Sequence, residues 1–407
     1  MINEKTELEL FVSKNWESIS SYLDKMQSNY PVPIYTSVDI RESKNKFAPV
    51  DNNFYPAGFN NICTLDINAT GPHFKKHIEN IDKSIKNIGI ISESNTRNTF
   101  YLDHLAMLKK CLKDAGYNVF IVSFDESLFD GDEKTLSLIS NSGFDVVLHK
   151  SFVHEGIIKI QNEQDMISLC LCLMNNDQSA PLNIEWENIK SNVEPSPKLG
   201  WHKRTKANHF AFYNQVITEF CEHFKINTNL LEAKFKKVDG VDFSSKEGLD
   251  NIAKEVDQII SETNCQKVFV KADQGTYGMG IQVVGSGEEI LNLNRKQRNK
   301  LDVGKNKKKF TSVLLQEGVE TVLKWDDRPA EVTIYLVGGD SGGGFMRTNS
   351  LKDANSNLNA RGMVFQKFCI SEIRQDKEHK TKEALYSIIA RLSSIAGGME
   401  IQNSIRV

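Results

Sequence analysis

The stretch VFVKADQGTYGMGI, from Val268 to Ile281, holds the densest chemistry in the sequence. An apolar run delivers Lys271, and Gly275, Gly278 and Gly280 follow before a second apolar run begins. Glycine has no Cβ, so backbone N–H groups in such a loop can approach an anion closely. A lysine beside the loop supplies a compact positive charge for phosphate oxygens. The lysine precedes the loop and no helix follows at once, which separates the pattern from a GxxxxGK[ST] P-loop; the loop joins two strands, which separates it from a Rossmann fingerprint. Taken alone, these residues also suit an ordinary hairpin connection with spare glycines.

Two further clusters follow. LLQEGVE, at 314–320, reads as a strand ending in an acid and glycine, able to offer backbone N–H and C=O to a purine edge, with Gln316 and Glu317 adding polar contacts. Next comes AEVTIYLVGGDSGGGFMRTNSLKDANSNLNARGM, in which Glu331, Arg347, Asn349, Asn357 and Asn359 sit on or after two strands that pair. Hard divalent cations such as Mg²⁺ take oxygen ligands, which Glu carboxylates and Asn carbonyls provide. Arg347 suits bidentate contact with a phosphate or a carboxylate. Strand alternation sends Glu331, Thr333, Tyr335 and Val337 to one face.

Other polar groups have blander readings beside the chemical one. Asp39, Arg41, Asp51, Asn52, Asn53, Asn60 and Asn61 are rich in turn formers, so a structural loop is the default there. Asn95-Thr96-Arg97-Asn98 falls at the carboxyl end of a predicted parallel strand, where ligands of open α/β sheets sit. Thr96 or Asn98 suits a helix cap equally well, whereas a cap does not require the Arg97 guanidinium. Trp201 to Lys206, with Asn208 and His209, suit either substrate contact or a solvated helix start. Glu400-Ile401-Gln402-Asn403 is a loose echo of an E-x-N metal pair with the wrong spacing, and reads as accidental.

The elements that must position these groups differ along the chain. An amphipathic stretch near 5–28 leads into an irregular run from Val32. Residues 86–175 alternate strands and helices (NIGIISE, YLDHLAMLKKCLKDAG, YNVFIVSF), a βαβ pattern that predicts a parallel sheet. Three prolines in 176–200 mark a boundary. Beyond it, helices near 205–224 and 245–262 precede strands joined by short Gly/Asp turns, an antiparallel component. A last helix begins near 380. The chain therefore reads as α/β, with one domain over 1–200 and a second over 201–407.

Taken together, VFVKADQGTYGMGI, LNRKQRNK, QEGV, GGGFMRTN and NLNARGMVF resemble the proteobacterial glutamate–cysteine ligase family of the ATP-grasp superfamily. VDIRESKNKFAPVDNNFYPAGFNN, ISESNTRNTFYLDHLAML and LGWHKRTKANHF extend the similarity over nearly the whole chain. One departure is Arg361, at a position more often held by proline. The resemblance implies an N-terminal α/β substrate-side domain followed by an ATP-grasp fold. It also implies ATP-dependent joining of the L-glutamate γ-carboxylate to L-cysteine through an acyl phosphate, the first step of glutathione biosynthesis. By position, Lys271 is expected to touch the ATP phosphates, and Gly275, Thr276, Tyr277, Gly278 and Gly280 to form a flexible lid. Gln316, Glu317 and Val319 are expected to border the adenine. Glu331 with Asn349 or Asn359 become candidate Mg²⁺ ligands and Arg347 a clamp for phosphate or substrate; Arg97, from its place after the apolar strand rather than from the resemblance, joins Lys271 and Arg347 as a candidate catalytic group. Another ATP-grasp carboxylate–amine ligase, such as a glutathione synthetase, shares the C-terminal half of this pattern. A nucleotide-binding module without turnover is a second rival, against which Lys271, Glu331 and Arg347 speak.

Composition narrows the classes. Of the 407 residues, 50 are basic and 53 acidic, a near balance that disfavours a dedicated nucleic-acid binder. The basic run at 294–310 lacks the interleaved aromatics of base stacking, and reads as a solvated flap near a triphosphate. No segment reaches the roughly 18 apolar residues that span a bilayer, and the N-terminus is not a secretory signal. The seven scattered cysteines read as reduced thiols of a cytoplasmic protein, with no close set of metal ligands. Oligomeric state is not legible.

Overall fold

The computed structural model describes residues 1–162, 165–274, 280–302, 311–373 and 380–405. Three sheets organise them. The parallel sheet forms as its pattern predicts: Asn87–Ile91, Asn118–Ser123, Asp145–His154, Leu171–Met174 and Asn192–Glu194 run parallel, and helix Thr99–Asp114 makes the first crossover. Asn98 caps that helix, its side chain accepting from the Tyr101 N–H.

A four-stranded antiparallel sheet has the spatial order Phe235–Asp239, Ser312–Glu317, Val268–Ala272, Ile281–Val284. Helix Lys246–Thr263 covers one face. Leu249, Ile252, Val256 and Ile259 pack against Val268, Val270, Val313 and Leu315. Ser245 caps its start, and Asn264 ends it in the left-handed conformation that asparagine tolerates.

The central sheet is antiparallel, and its order corrects one expectation. The run after Val32 is not irregular: Tyr35–Glu42 and Phe47–Asn53 form a hairpin that pairs with Arg328–Val337, followed by Asp340–Asn349 and Met363–Lys367. Strands from either side of residue 200 thus share one sheet. Its faces bury in different cores, which explains the alternation in 331–337. Val332, Ile334 and Leu336 pack towards helices Lys5–Gln27 and Lys380–Ile405, whereas Tyr335 and Val337 pack towards helices Thr64–Ile81 and Thr99–Asp114.

The cysteines bring a second correction. Cys63 and Cys369 are joined in a disulfide across 306 residues of sequence, so the seven are not all free thiols. The fold lays the segment after Met363–Lys367 on the start of helix Thr64–Ile81, where the Asp66 carboxylate accepts from the Ile370 and Ser371 N–H groups. Spacing alone does not reveal that contact. Among the described residues no helix is long and apolar enough to cross a membrane.

Candidate active site

Val268 and Val270 face the helix-covered core, so strand alternation turns Phe269 and Lys271 to the opposite face, towards the central sheet. On the paired strand Ser312–Glu317, Leu314 and Gln316 take that same face. Lys271 Nζ donates to Val50 O at 2.7 Å and to Gln316 Oε1 at 2.6 Å. Burial pulls the Lys271 pKa down to about 8, against the attraction of Asp51 and Glu331.

Across the cleft, three strands of the central sheet present a charged array. Asp39 and Thr333 are paired across strands, as are Glu331 and Arg347. Arg347 NH1 donates to Asp39 Oδ2 at 2.8 Å and to Glu331 Oε1 at 2.7 Å. The other Glu331 oxygen accepts from Arg41 Nε at 2.8 Å. Burial pushes the Glu331 carboxyl up, but Arg41 and Arg347 outweigh it and hold the group below its ordinary value. For Asp39 burial prevails over Arg347, and its carboxyl lies above the usual range.

Lys271, Gln316, Asp39, Arg41, Glu331 and Arg347 line a narrow cavity of about 40 Å³ together with Asp51, Glu317, Val319, Asn357 and Asn359. Two buried donors there, Gln316 Nε2 and Arg347 Nε, have no hydrogen-bond partner within the described structure. Unpaired buried donors are costly, so an acceptor oxygen or ring nitrogen entering this cleft would meet two donors ready for it.

The placement of the expected residues is uneven. Lys271, Gln316, Glu317, Val319, Glu331, Arg347 and Asn359 converge on the cavity. Gly280 lies at the start of the return strand, with positive φ and its carbonyl accepting from Ala272 N–H. Gly275, Thr276, Tyr277 and Gly278 lie outside the described residues, as does 303–310 of the basic run. Asn349 does not line the cavity: its Oδ1 accepts from Leu351 N–H, and its Nδ2 lies 3.2–3.3 Å from the carbonyl oxygens of Leu358, Ala360 and Arg361. It braces the loop that carries Asn357 and Asn359. Arg97 is exposed and sits instead beside a separate cavity of about 1110 Å³ at the carboxyl ends of the parallel strands, lined in part by Glu93, Ser94 and Asn95.

The hairpin residues Asp39, Arg41 and Asp51 do line the cleft, contrary to their default reading as loop residues. Nor is the Trp201–His209 cluster a solvated helix start. Arg204 is buried and donates to both Glu400 oxygens at 2.9 Å, while Lys206 Nζ lies 3.4 Å from Asp51 and 4.0 Å from the Trp201 ring. Both Glu400 oxygens are thus taken up by Arg204 within the fold.

The family model for glutamate-cysteine ligase (GshA) matches residues 9–401. The chain belongs to the glutamate–cysteine ligase family. A solved structure from Methylobacillus flagellatus KT, described as a candidate gamma-glutamylcysteine synthetase, is 30% identical with a TM-score of 0.88, covering 97% of this chain and 96% of that one. A glutathione synthetase-like effector from Globodera pallida, in its apo form, is 11% identical with a TM-score of 0.45, over 89% of this chain and 84% of its own. No curated protein matches significantly. This glutamate–cysteine ligase is an α/β enzyme, and ligases of its family use ATP. The likeness extends over both halves of the chain, as the motif order implied.

Proposed function

We propose that this ligase transfers the γ-phosphoryl group of ATP to the glutamate γ-carboxylate, giving an acyl phosphate and ADP, and that the cysteine amine then displaces phosphate with loss of a proton. A carboxylate is a poor electrophile, and phosphorylation converts one of its oxygens into a leaving group. The protein's part in such a transfer is positioning and charge neutralisation. The observation that carries the reading is the convergence of Lys271 Nζ with two partnerless donors, Gln316 Nε2 and Arg347 Nε, on a cleft between two antiparallel sheets.

In this reading Lys271 meets the phosphates, Gln316 to Val319 border the adenine, and Arg347 steadies the transferred phosphoryl group or the substrate carboxylate. A divalent cation such as Mg²⁺ would be held by oxygen donors that line the cavity, Glu331 and Asn359, and would neutralise phosphate charge. Glu331 has the right chemistry, although both of its oxygens accept from guanidinium groups in this arrangement. Asn349 is spoken for by its loop. Ligand pockets typically enclose ~300–1,000 Å³, so the cleft must widen for a nucleotide to enter. The solvent-exposed Arg97 has no role in the phosphoryl transfer proposed here.

ADP release from glutamate, cysteine and ATP, followed with the Lys271→Ala variant, tests the assignment. Removing one preorganised donor to developing charge lowers turnover about 100-fold or more. A near-native rate in that variant would place the triphosphate elsewhere.

A further inference from the structure

The strand that borders the proposed adenine site is fixed chiefly by residues outside it. The Glu317 N–H donates to Lys234 O and the Gly318 N–H to Lys267 O, so two successive backbone donors are spent on neighbouring segments. Gly318 is required there, because an added Cβ would lie 2.4 Å from Lys267 O. The Glu317 carboxylate is equally committed: Lys46 Nζ reaches its two oxygens at 2.8 and 2.9 Å, and the Lys234 N–H donates to one of them at 2.9 Å. Two residues on, Val319 O accepts from Arg41 NH1 at 3.3 Å. The same guanidinium donates to Glu331 and, through NH2, to Ser356 O at 2.7 Å in the loop that carries Asn357 and Asn359. Arg41 is 3% exposed and lies over the Phe269 ring.

Both cations belong to the N-terminal hairpin, Arg41 on its first strand and Lys46 just before its second. That hairpin also supplies the Val50 carbonyl that receives Lys271. We infer that Arg41 and Lys46 are positioning residues for the nucleotide. They aim the 317–319 backbone at the base and hold it in register with Lys271, without touching the reacting atoms. A planar guanidinium reaches three acceptors on three separate segments, and an ammonium at the same place cannot. The inference rests on the proposed nucleotide site. It adds that nucleotide affinity is set from the part of the chain expected to serve the amino-acid substrates.

The test uses full-length protein and three variants, Arg41→Lys, Lys46→Met and Lys271→Ala. Nucleotide affinity is measured by calorimetry with ATP alone, and KM is measured for ATP, glutamate and cysteine. Loss of a charged hydrogen bond that orients the site is expected to weaken ATP binding about tenfold in Arg41→Lys and several-fold in Lys46→Met. In Lys46→Met, which touches only Glu317, the KM values for glutamate and cysteine are expected to stay within about twofold of native. Lys46 is partly exposed, so its variant keeps the question open to measurement if Arg41→Lys folds poorly. Native ATP affinity in both hairpin variants, with binding lost in Lys271→Ala, would overturn this inference alone. Native ATP affinity in Lys271→Ala would overturn the nucleotide site beneath it. A lowered melting temperature with unchanged ATP binding would reduce both hairpin residues to structural braces, and would equally refute the inference.

Discussion

Lys271 is an ammonium in a place that disfavours ammonium. Burial lowers its pKa from 10.5 to about 8, with Lys206 and Arg41 adding repulsion and Asp51 and Glu331 opposing it. The native state therefore binds fewer protons than the unfolded chain between pH ~8 and ~10.5, and stability rises with pH through that window. The charged form that prevails below pH ~8 carries a penalty on the order of 3 kcal/mol. A polyanionic ligand would recover that penalty on binding, because triphosphate charge favours the protonated amine. Affinity for ATP is accordingly expected to fall about tenfold per pH unit above pH ~8. The kcat/KM profile for ATP should show an alkaline limb there, and Lys271→Arg, which does not titrate in this range, should remove it. A flat profile from pH 7 to 10 in the native enzyme would contradict the assignment. Not every contributor at this scale was legible in the sequence. Lys271 and Glu331 announce themselves on clean apolar strands. Asp39, Arg41 and Asp51 do not, because turn formers and charges surround them and loops have the same composition.

The same difficulty operates at the level of elements. Helices Lys206–Phe224 and Lys246–Thr263 follow their apolar periodicity, since each buries one side against a core, whereas strands Val268–Ala272 and Ser312–Glu317 show as short apolar runs because both of their faces are buried. Tyr35–Glu42 shows no such rhythm. It lies inside a sheet covered on both faces, and Thr36, Arg41 and Glu42 are all buried on it. Functional side chains have replaced the apolar ones that would have revealed the strand. The C-terminal helix Lys380–Ile405 offers a test of how such buried charges hold elements together. Burial pushes the Glu400 carboxyl up, but Arg204 and His209 outweigh it and bring its pKa down to about 2. The His209 ring meets Glu400 at 2.6 Å and Ser393 at 3.0 Å, so His209 locks this helix to Lys206–Phe224 and Arg204 holds it from just before that helix. The pair's stabilisation is present above pH ~4.5 and is lost as pH falls towards 2. Glu400→Gln leaves the Arg204 charge buried and uncompensated, which costs roughly 3–5 kcal/mol. Urea unfolding at pH 7 should show that loss, and a change below 1 kcal/mol would mean that the pair breaks even with water.

Over the whole molecule, the Cys63–Cys369 disulfide makes the longest covalent closure, joining the start of helix Thr64–Ile81 to the segment that follows the edge strand of the central sheet. In the chain-entropy account, closing a loop of 306 residues removes unfolded-state freedom worth about 6 kcal/mol. Against the unfolding entropy of a chain this long, that corresponds to a melting temperature lower by about 7 °C on reduction. The Asp66 grip on residues 370 and 371 is non-covalent, so it should keep the segment docked when the bond opens. Thiol titration of the denatured, unreduced protein should count two fewer cysteines than after reduction, since Cys111, Cys170, Cys172, Cys221 and Cys265 are free. Cys63→Ser should melt with the reduced native protein and show no response to dithiothreitol, while native protein should respond in full. Equal melting of native protein with and without reductant, or seven titrating thiols before reduction, would remove the cross-link from the account of stability and leave the hydrogen bonds of Asp66 to hold that segment.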